Sequence, residues 1–172
     1  MGKIVTYKPV KLFMGIISAS KALIEEVEPL LTAEWGMLDI KSPLVAFDFT
    51  DYYAKEMGSG LLRQWLGFEK LIPQEELSNV KTRTNEIESR FLRGSGRQLN
   101  LDPGYLALSK IVLASTKDYS HRIYLKNGIH AEITMIYQNK TFTSLPWTYP
   151  DYKADTATKF FLDLRQIYSK QI

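Results

Sequence analysis

An α+β fold with a mostly antiparallel sheet is what this chain of 172 residues predicts. Three observations carry the prediction. Extended apolar segments recur along the chain, helical apolar spacing separates them, and Asn127-Gly128 sits between branched and aromatic residues as a two-residue hairpin turn.

The elements follow in order. Pro9 to Ser18 predicts a strand with both faces covered, because Phe13 and Ile17 are apolar as well as Val10, Leu12, Met14 and Ile16. Ser18 or Ser20 caps the helix that follows, with Leu23, Val27, Leu30 and Leu31 on one face. Gly36 and Pro43 punctuate its exit. Leu44 to Tyr53 reads as a second strand and Leu61 to Ile72 as a third. Pro73 opens a helix expected to run to about Arg93 and to stop at Gly94-Ser-Gly96.

Leu99 to Leu108 is the fourth strand, and Pro103 within it suggests an edge or a bulge. Lys110 to Ser115, a hairpin over residues 121 to 137, and Lys140 to Pro146 extend the sheet. A terminal helix buries Ala157, Phe160, Phe161, Leu164 and Tyr168. The order strand, helix, strand, strand, helix, strand is ferredoxin-like, here extended by a C-terminal hairpin and helix. No linker or repeat divides the chain, so residues 1–172 are expected to form a single domain.

Composition narrows the function classes. The net charge of +3 permits an anionic partner without demanding one. With no cysteine, disulfides and thiolate metal sites are excluded, and two histidines disfavour a zinc enzyme. No apolar run approaches the roughly 20 residues a membrane helix needs. The first residues lack the apolar core of a signal peptide, so no membrane association and a cytoplasmic location are the expectations.

Four groups of residues carry candidate chemistry. Lys81, Thr84, Asn85 and Glu88 form one polar stripe on the second long helix, beside its apolar stripe. They read either as a pocket wall or as a solvated flank. Across the hairpin, the two-residue turn pairs Lys126 with Ile129 and so sets Ile123 opposite Glu132. His121 and Glu132 then share a face, and Arg122 points away from it. A His–Glu pair serves either as a general base with its orienting carboxylate or as a structural pair between strands.

Asn100 and Asp102 alternate to one face of their strand. Asp102 before Pro-Gly either stabilises a turn or, with Glu88 or Glu132, holds a divalent metal. Arg63, Lys81, Arg97, Lys117 and Arg122 come from five segments and would bind a phosphate or carboxylate if they converge. Trp147, Tyr149 and Tyr152 either stack on a base or fasten the last helix.

Several of these stretches together resemble one family. Phe49-Thr-Asp-Tyr-Tyr-Ala-Lys-Glu-Met-Gly58, Thr84-Asn85 with Glu88, Arg97 to Tyr105, Lys117 to Leu125 and Trp147 to Tyr152 are similar to the domain of unknown function 4416 family. The resemblance spans nearly the whole chain. It implies a small, cytoplasmic, prokaryotic, single-domain protein of a family without an established activity, some members of which are labelled GTP-binding. The chain has no Gly-x-x-x-x-Gly-Lys-Ser/Thr loop, and Gly94-Ser-Gly96-Arg97 lacks the lysine such a loop needs.

The expectation is therefore a binding domain or enzyme for a small anionic ligand, nucleotide-like or phosphorylated, with hydrolysis the most natural reaction. His121, Glu132 and Glu88 are the catalytic candidates. Lys81, Thr84, Asn85, Arg97, Asn100, Lys117 and Arg122 are the ligand-binding candidates, and Asp102 is the candidate ligand of a divalent metal. The alternatives are an RNA-binding module, with nucleic acid the less favoured partner, and a non-catalytic interaction domain. Oligomeric state is not legible.

Overall fold

A computed structural model describes residues 2–3, 7–50, 52–94 and 96–172. In chain order the elements are β1 (Val10–Ser18), α1 (Lys21–Trp35), β2 (Leu38–Lys41), β3 (Val45–Ala46), α2 (Ala54–Met57), β4 (Leu62–Ile72) and α3 (Leu77–Ser89). Then come β5 (Leu92–Arg93), β6 (Gly96–Arg97), β7 (Leu99–Ala107), β8 (Lys110–Ser115), β9 (Arg122–Lys126), β10 (Ile129–Gln138), β11 (Thr141–Ser144) and α4 (Asp155–Ser169).

One sheet dominates, in the order β11-β10-β8-β7-β1-β4-β2, with β3 added on β4 and β9 on β10. Its pairings are antiparallel. The fold is thus mixed α and β around a large antiparallel sheet. Leu12, Met14 and Ile16 of β1 pack with α1 and α3 on one face. Phe13 packs on the other with Trp65 and with Phe160, Phe161 and Leu164 of α4. Helices on both faces explain why β1 is apolar on both, since a side chain of either parity meets a helix.

Some boundaries differ from the sequence expectation, each for a local reason. The strand expected over Leu44 to Tyr53 shrinks to β3, which pairs only with Arg63 and Leu62. Beyond Phe47 the Thr50 hydroxyl captures the Tyr52 N–H at 3.1 Å, a side-chain turn that competes with the ladder. Asp51, also placed on that strand, lies outside the described residues. The helix from Pro73 ends at Ser89, where Arg90 and Phe91 donate to Ile87 and Glu88 three residues back. In α1 the buried face is Ile24, Val27 and Leu31, while Leu30 is exposed.

Two corrections shape the site. Pro103 does not mark an edge, because β7 lies between β1 and β8. The β7–β8 ladder instead stops at Gly104↔Leu113, one residue after the proline, while β7 stays paired to β1 down to Leu99. Beyond that point β8 continues along β10 through Ala114 and Ser115. The sheet is split there.

The hairpin turn forms as expected, with Lys126 opposite Ile129 and both Asn127 and Gly128 at positive φ. A register shift between Ile129 and His130 then pairs His130 with Tyr124 and Glu132 with Arg122. Leu125 is the extra residue. A bulge of one residue inverts the faces of the strand beyond it. The expectation that Ile123 faces Glu132 and that Arg122 points away is overturned.

Candidate functional site

A cavity of about 810 Å³ opens at the split in the sheet. Asn100 and Asp102 of β7 line one side of it, and Leu113 to Lys117 line the other. Lys81, Asn85 and Glu88 of α3 contribute a third wall. The segment from Tyr149 to Tyr152 also lines it, as do the exposed rings of Phe49, Tyr52 and Tyr119.

The wall formed by α3 follows from the split. With β8 gone, the backbone of Leu101 has no strand partner on that side. Glu88 Oε1 accepts the Leu101 N–H at 2.6 Å, and Lys81 Nζ donates to the Leu101 carbonyl at 2.8 Å. Two helical side chains stand in for the missing strand and satisfy buried backbone groups. Strand alternation gives Pro103 the same orientation as Leu101, so its missing N–H also falls on the vacated side.

Burial raises the Glu88 pKa, opposed by the nearby Lys81 ammonium and by the Leu101 N–H. Thr84 is fully buried. It donates to the Lys81 carbonyl within the helix and is absent from the cavity wall, unlike the other three members of its stripe.

The side between β4 and β7 holds a buried guanidinium. Arg63 Nη1 donates to Asp102 at 3.0 Å, and Nη2 lies 3.1 Å from Asp151. Its guanidinium carbon sits 4.8 Å from the centre of Trp65 and 5.3 Å from that of Tyr152. Gly15 on the neighbouring strand makes this arrangement possible, because a Cβ there would lie 2.7 Å from Arg63 Nη2.

The two carboxylates are shifted in opposite directions. Burial alone would raise the Asp102 pKa, but the charges of Arg63 and Lys81 outweigh it and hold the group below its ordinary value. Burial raises Asp151, and Arg63 only partly offsets it. Asp102 keeps 28% of its side-chain surface accessible, at the cavity wall. Among the described residues no three His, Asp or Glu side chains come together to hold a metal ion. Asp102 is an ion-pair partner of Arg63. Asp151 lines the cavity beside Arg63, and the sequence does not flag it. A buried carboxylate in a Pro-Asp helix lead-in carries no signal without its distant arginine.

The hairpin supplies the last wall. Glu132 receives Arg122 Nε at 2.9 Å, Thr134 Oγ1 at 3.1 Å and, at 3.0 Å, His121 Nε2. His121 and Glu132 do meet, as the sequence suggested, but by a different register. His121 stacks on Trp147, with ring centres 4.9 Å apart, and does not line the cavity. Glu132 and Arg122 do line the cavity.

Arg122 was expected to neutralise a ligand, but its donors are spent within the protein. Besides Glu132 they reach Ser115 Oγ at 2.9 Å, the Lys117 carbonyl at 3.0 Å and Tyr149 OH at 2.8 Å. Arg97 is likewise engaged, by both Glu56 oxygens and by Asn100 Oδ1 at 3.1 Å. Lys117 Nζ donates to Tyr52 OH at 2.9 Å and has no carboxylate partner among the described residues.

Fold and cavity define an α+β protein with a ligand-sized site where its sheet divides. The chain belongs to the family described as Domain of unknown function (DUF4416), whose model matches residues 8–168. No curated protein and no solved structure matches the chain. Among the described residues no helix is long and apolar enough to cross a membrane.

Proposed function

We propose that the chain is a single domain that binds a small anionic ligand, of nucleotide or phosphate-ester type, in the cavity at the sheet split. One observation carries this reading. Five cations from five segments line the cavity against four carboxylates, and Lys117 at an aromatic rim has no carboxylate partner among the described residues. An aromatic rim beside a cation suits a planar group carrying an anion. The order of β1, α1, β2, β4, α3 and β7, with β1 and β4 inside and β7 and β2 flanking them, supports a ferredoxin-like core. A cytoplasmic location belongs to the same reading.

Thermal-shift screening against nucleotides and phosphorylated metabolites tests it. A ligand at about 100 times its dissociation constant adds about 2.7 kcal/mol of stability. Stabilisation by anions of this class is expected; no shift with any of them overturns the reading.

Hydrolysis of that ligand is a second reading, favoured by Glu88 and Asp102. Their carboxyls lie in adjoining walls and are shifted in opposite directions. Asp102 would take a proton from water as it adds to phosphorus, and Glu88 would protonate the departing ester oxygen. Release of inorganic phosphate is the readout. The RNA-binding alternative is disfavoured by the covered faces of the central strands, where a ferredoxin-like RNA binder would need an open sheet for stacking bases.

A further inference from the structure

The hydroxyls around Arg122 have their hydrogen-bond polarity set. Ser115 Oγ accepts from Arg122 Nη1 at 2.9 Å and from the Lys117 N–H at 3.2 Å. A hydroxyl has two acceptor sites and one proton. Both acceptor sites of Ser115 are filled, so only its O–H is left to offer. Tyr149 OH accepts from Arg122 Nη2 at 2.8 Å and likewise keeps its proton to give.

Neither proton finds an acceptor among the described residues. Both residues line the cavity, and Lys117 lies beside Ser115 in the chain with its ammonium on Tyr52. This part of the wall presents donors and one cation. Its complement is a group made only of acceptors.

We propose that Arg122 is a positioning residue that fixes the Ser115 and Tyr149 hydroxyls as donors to a phosphoryl group, with the charge supplied by Lys117. The assignment rests on the anion-binding reading above and names the group recognised and the residues that recognise it. The guanidinium does not touch the ligand. It occupies the acceptor lone pairs of both hydroxyls, and Glu132 holds it in place from behind. Charge-assisted hydrogen bonds to a phosphoryl oxygen are about twice as strong as neutral ones, and three acceptor oxygens on one phosphorus can take several donors at once. Burial raises the Tyr149 pKa despite Arg122, so at neutral pH the phenol retains the proton it donates.

Phenyl phosphate is the probe, combining a ring for the aromatic rim with a phosphoryl group; benzyltrimethylammonium is the probe of reversed charge. Calorimetric titration of the full chain should give binding of the first and not of the second. Ser115→Ala and Tyr149→Phe each delete one hydroxyl and should weaken phenyl phosphate binding about tenfold, which is about 1.4 kcal/mol, in chains that stay folded but melt lower, because an Arg122 N–H loses its acceptor. Arg122→Lys keeps the charge but loses the fork and should weaken binding as well. The decisive readout is coupling. In the Arg122→Lys background, Tyr149→Phe should cost little more, because the hydroxyl is no longer held as a donor.

If the two losses multiply, Arg122 does not act through Tyr149 and the proposal is overturned. Should Arg122→Lys fail to fold, Arg122→Gln takes its place in the same cycle with Tyr149→Phe, and the Ser115 and Tyr149 variants alone decide whether the two hydroxyls bind the phosphoryl group. Phenyl phosphate binding that neither alters sinks the assignment while leaving the cavity reading intact. Failure of the unmodified chain to bind phenyl phosphate overturns the assignment, and failure with every anion tested overturns the cavity reading too.

Discussion

Glu88 of α3 accepts the backbone N–H of Leu101 at 2.6 Å, in the place where a neighbouring strand would otherwise receive it. The carboxylate therefore supports the sheet as well as lining the cavity.

Glu88→Ala should destabilise the protein by about 1–3 kcal/mol, because it leaves a buried N–H without an acceptor and Lys81 without its nearest charge partner. Glu88→Gln keeps an acceptor oxygen and should recover much of that. Urea denaturation of the two variants is the check. Equal stabilities would mean that the Leu101 contact contributes nothing.

Arg63 is buried between two carboxylates. Removing one member of a buried charge group leaves the rest uncompensated and costs about 3–5 kcal/mol. Arg63→Met should show that loss, and Asp151→Asn added to it should restore part. Gly15→Ala should also destabilise, since its methyl would lie 2.7 Å from the guanidinium with Trp65 and Tyr152 close on Arg63. Full stability in Gly15→Ala would contradict the placement of Arg63.

Asp102 and Asp151 share that guanidinium yet should respond oppositely to pH. A carboxyl lowered in the folded protein, as Asp102 is, adds stability that is complete above its unfolded value of about 3.9 and fades as pH falls through the folded value. A carboxyl raised in the folded protein, as Asp151 is, contributes favourably below about 3.9 and loses that contribution as pH rises through the folded value. Asp102→Asn should therefore cost most at neutral pH and less in acid. Asp151→Asn should improve relative to the unmodified chain as pH rises from about 3 to about 7. Parallel profiles for the two variants, measured by chemical denaturation across that range, would refute the opposed shifts.

His121→Ala should cost about 1 kcal/mol of stability and leave ligand affinity at the cavity unchanged. Glu132 keeps Arg122 and Thr134 without it, and His121 lies outside the wall. Lost affinity in a variant of normal melting temperature would return His121 to the site.

Much of the site was legible as a set of residues but not as an arrangement. Lys81, Asn85, Glu88, Arg97, Asn100, Asp102, Lys117, Arg122 and Glu132 all line one cavity, although they come from separate segments. Their roles were less accessible. Arg97 and Arg122 looked like free cations because a sequence does not reveal that Glu56 and Glu132 already hold them. Thr84 looked like a wall residue because helical spacing alone does not say where the apolar stripe stops.

What the sequence by itself determined is local. A short apolar run on both faces marked β1, helical spacing marked the buried face of α4, and Asn127-Gly128 marked the turn, each because the responsible energy lies within a few residues. Only the tertiary structure decided the bulge at Leu125, the parting of β7 from β8 beyond Gly104, and the meeting of Arg63 with Asp151. A bulge shifts a strand by one residue at little local cost, so packing against neighbours selects it, and that single step turns Arg122 onto Glu132. The partners of a buried charge are likewise chosen by which segments the fold brings together, and Arg63 and Asp151 meet only once β4 and the chain entering α4 are in place.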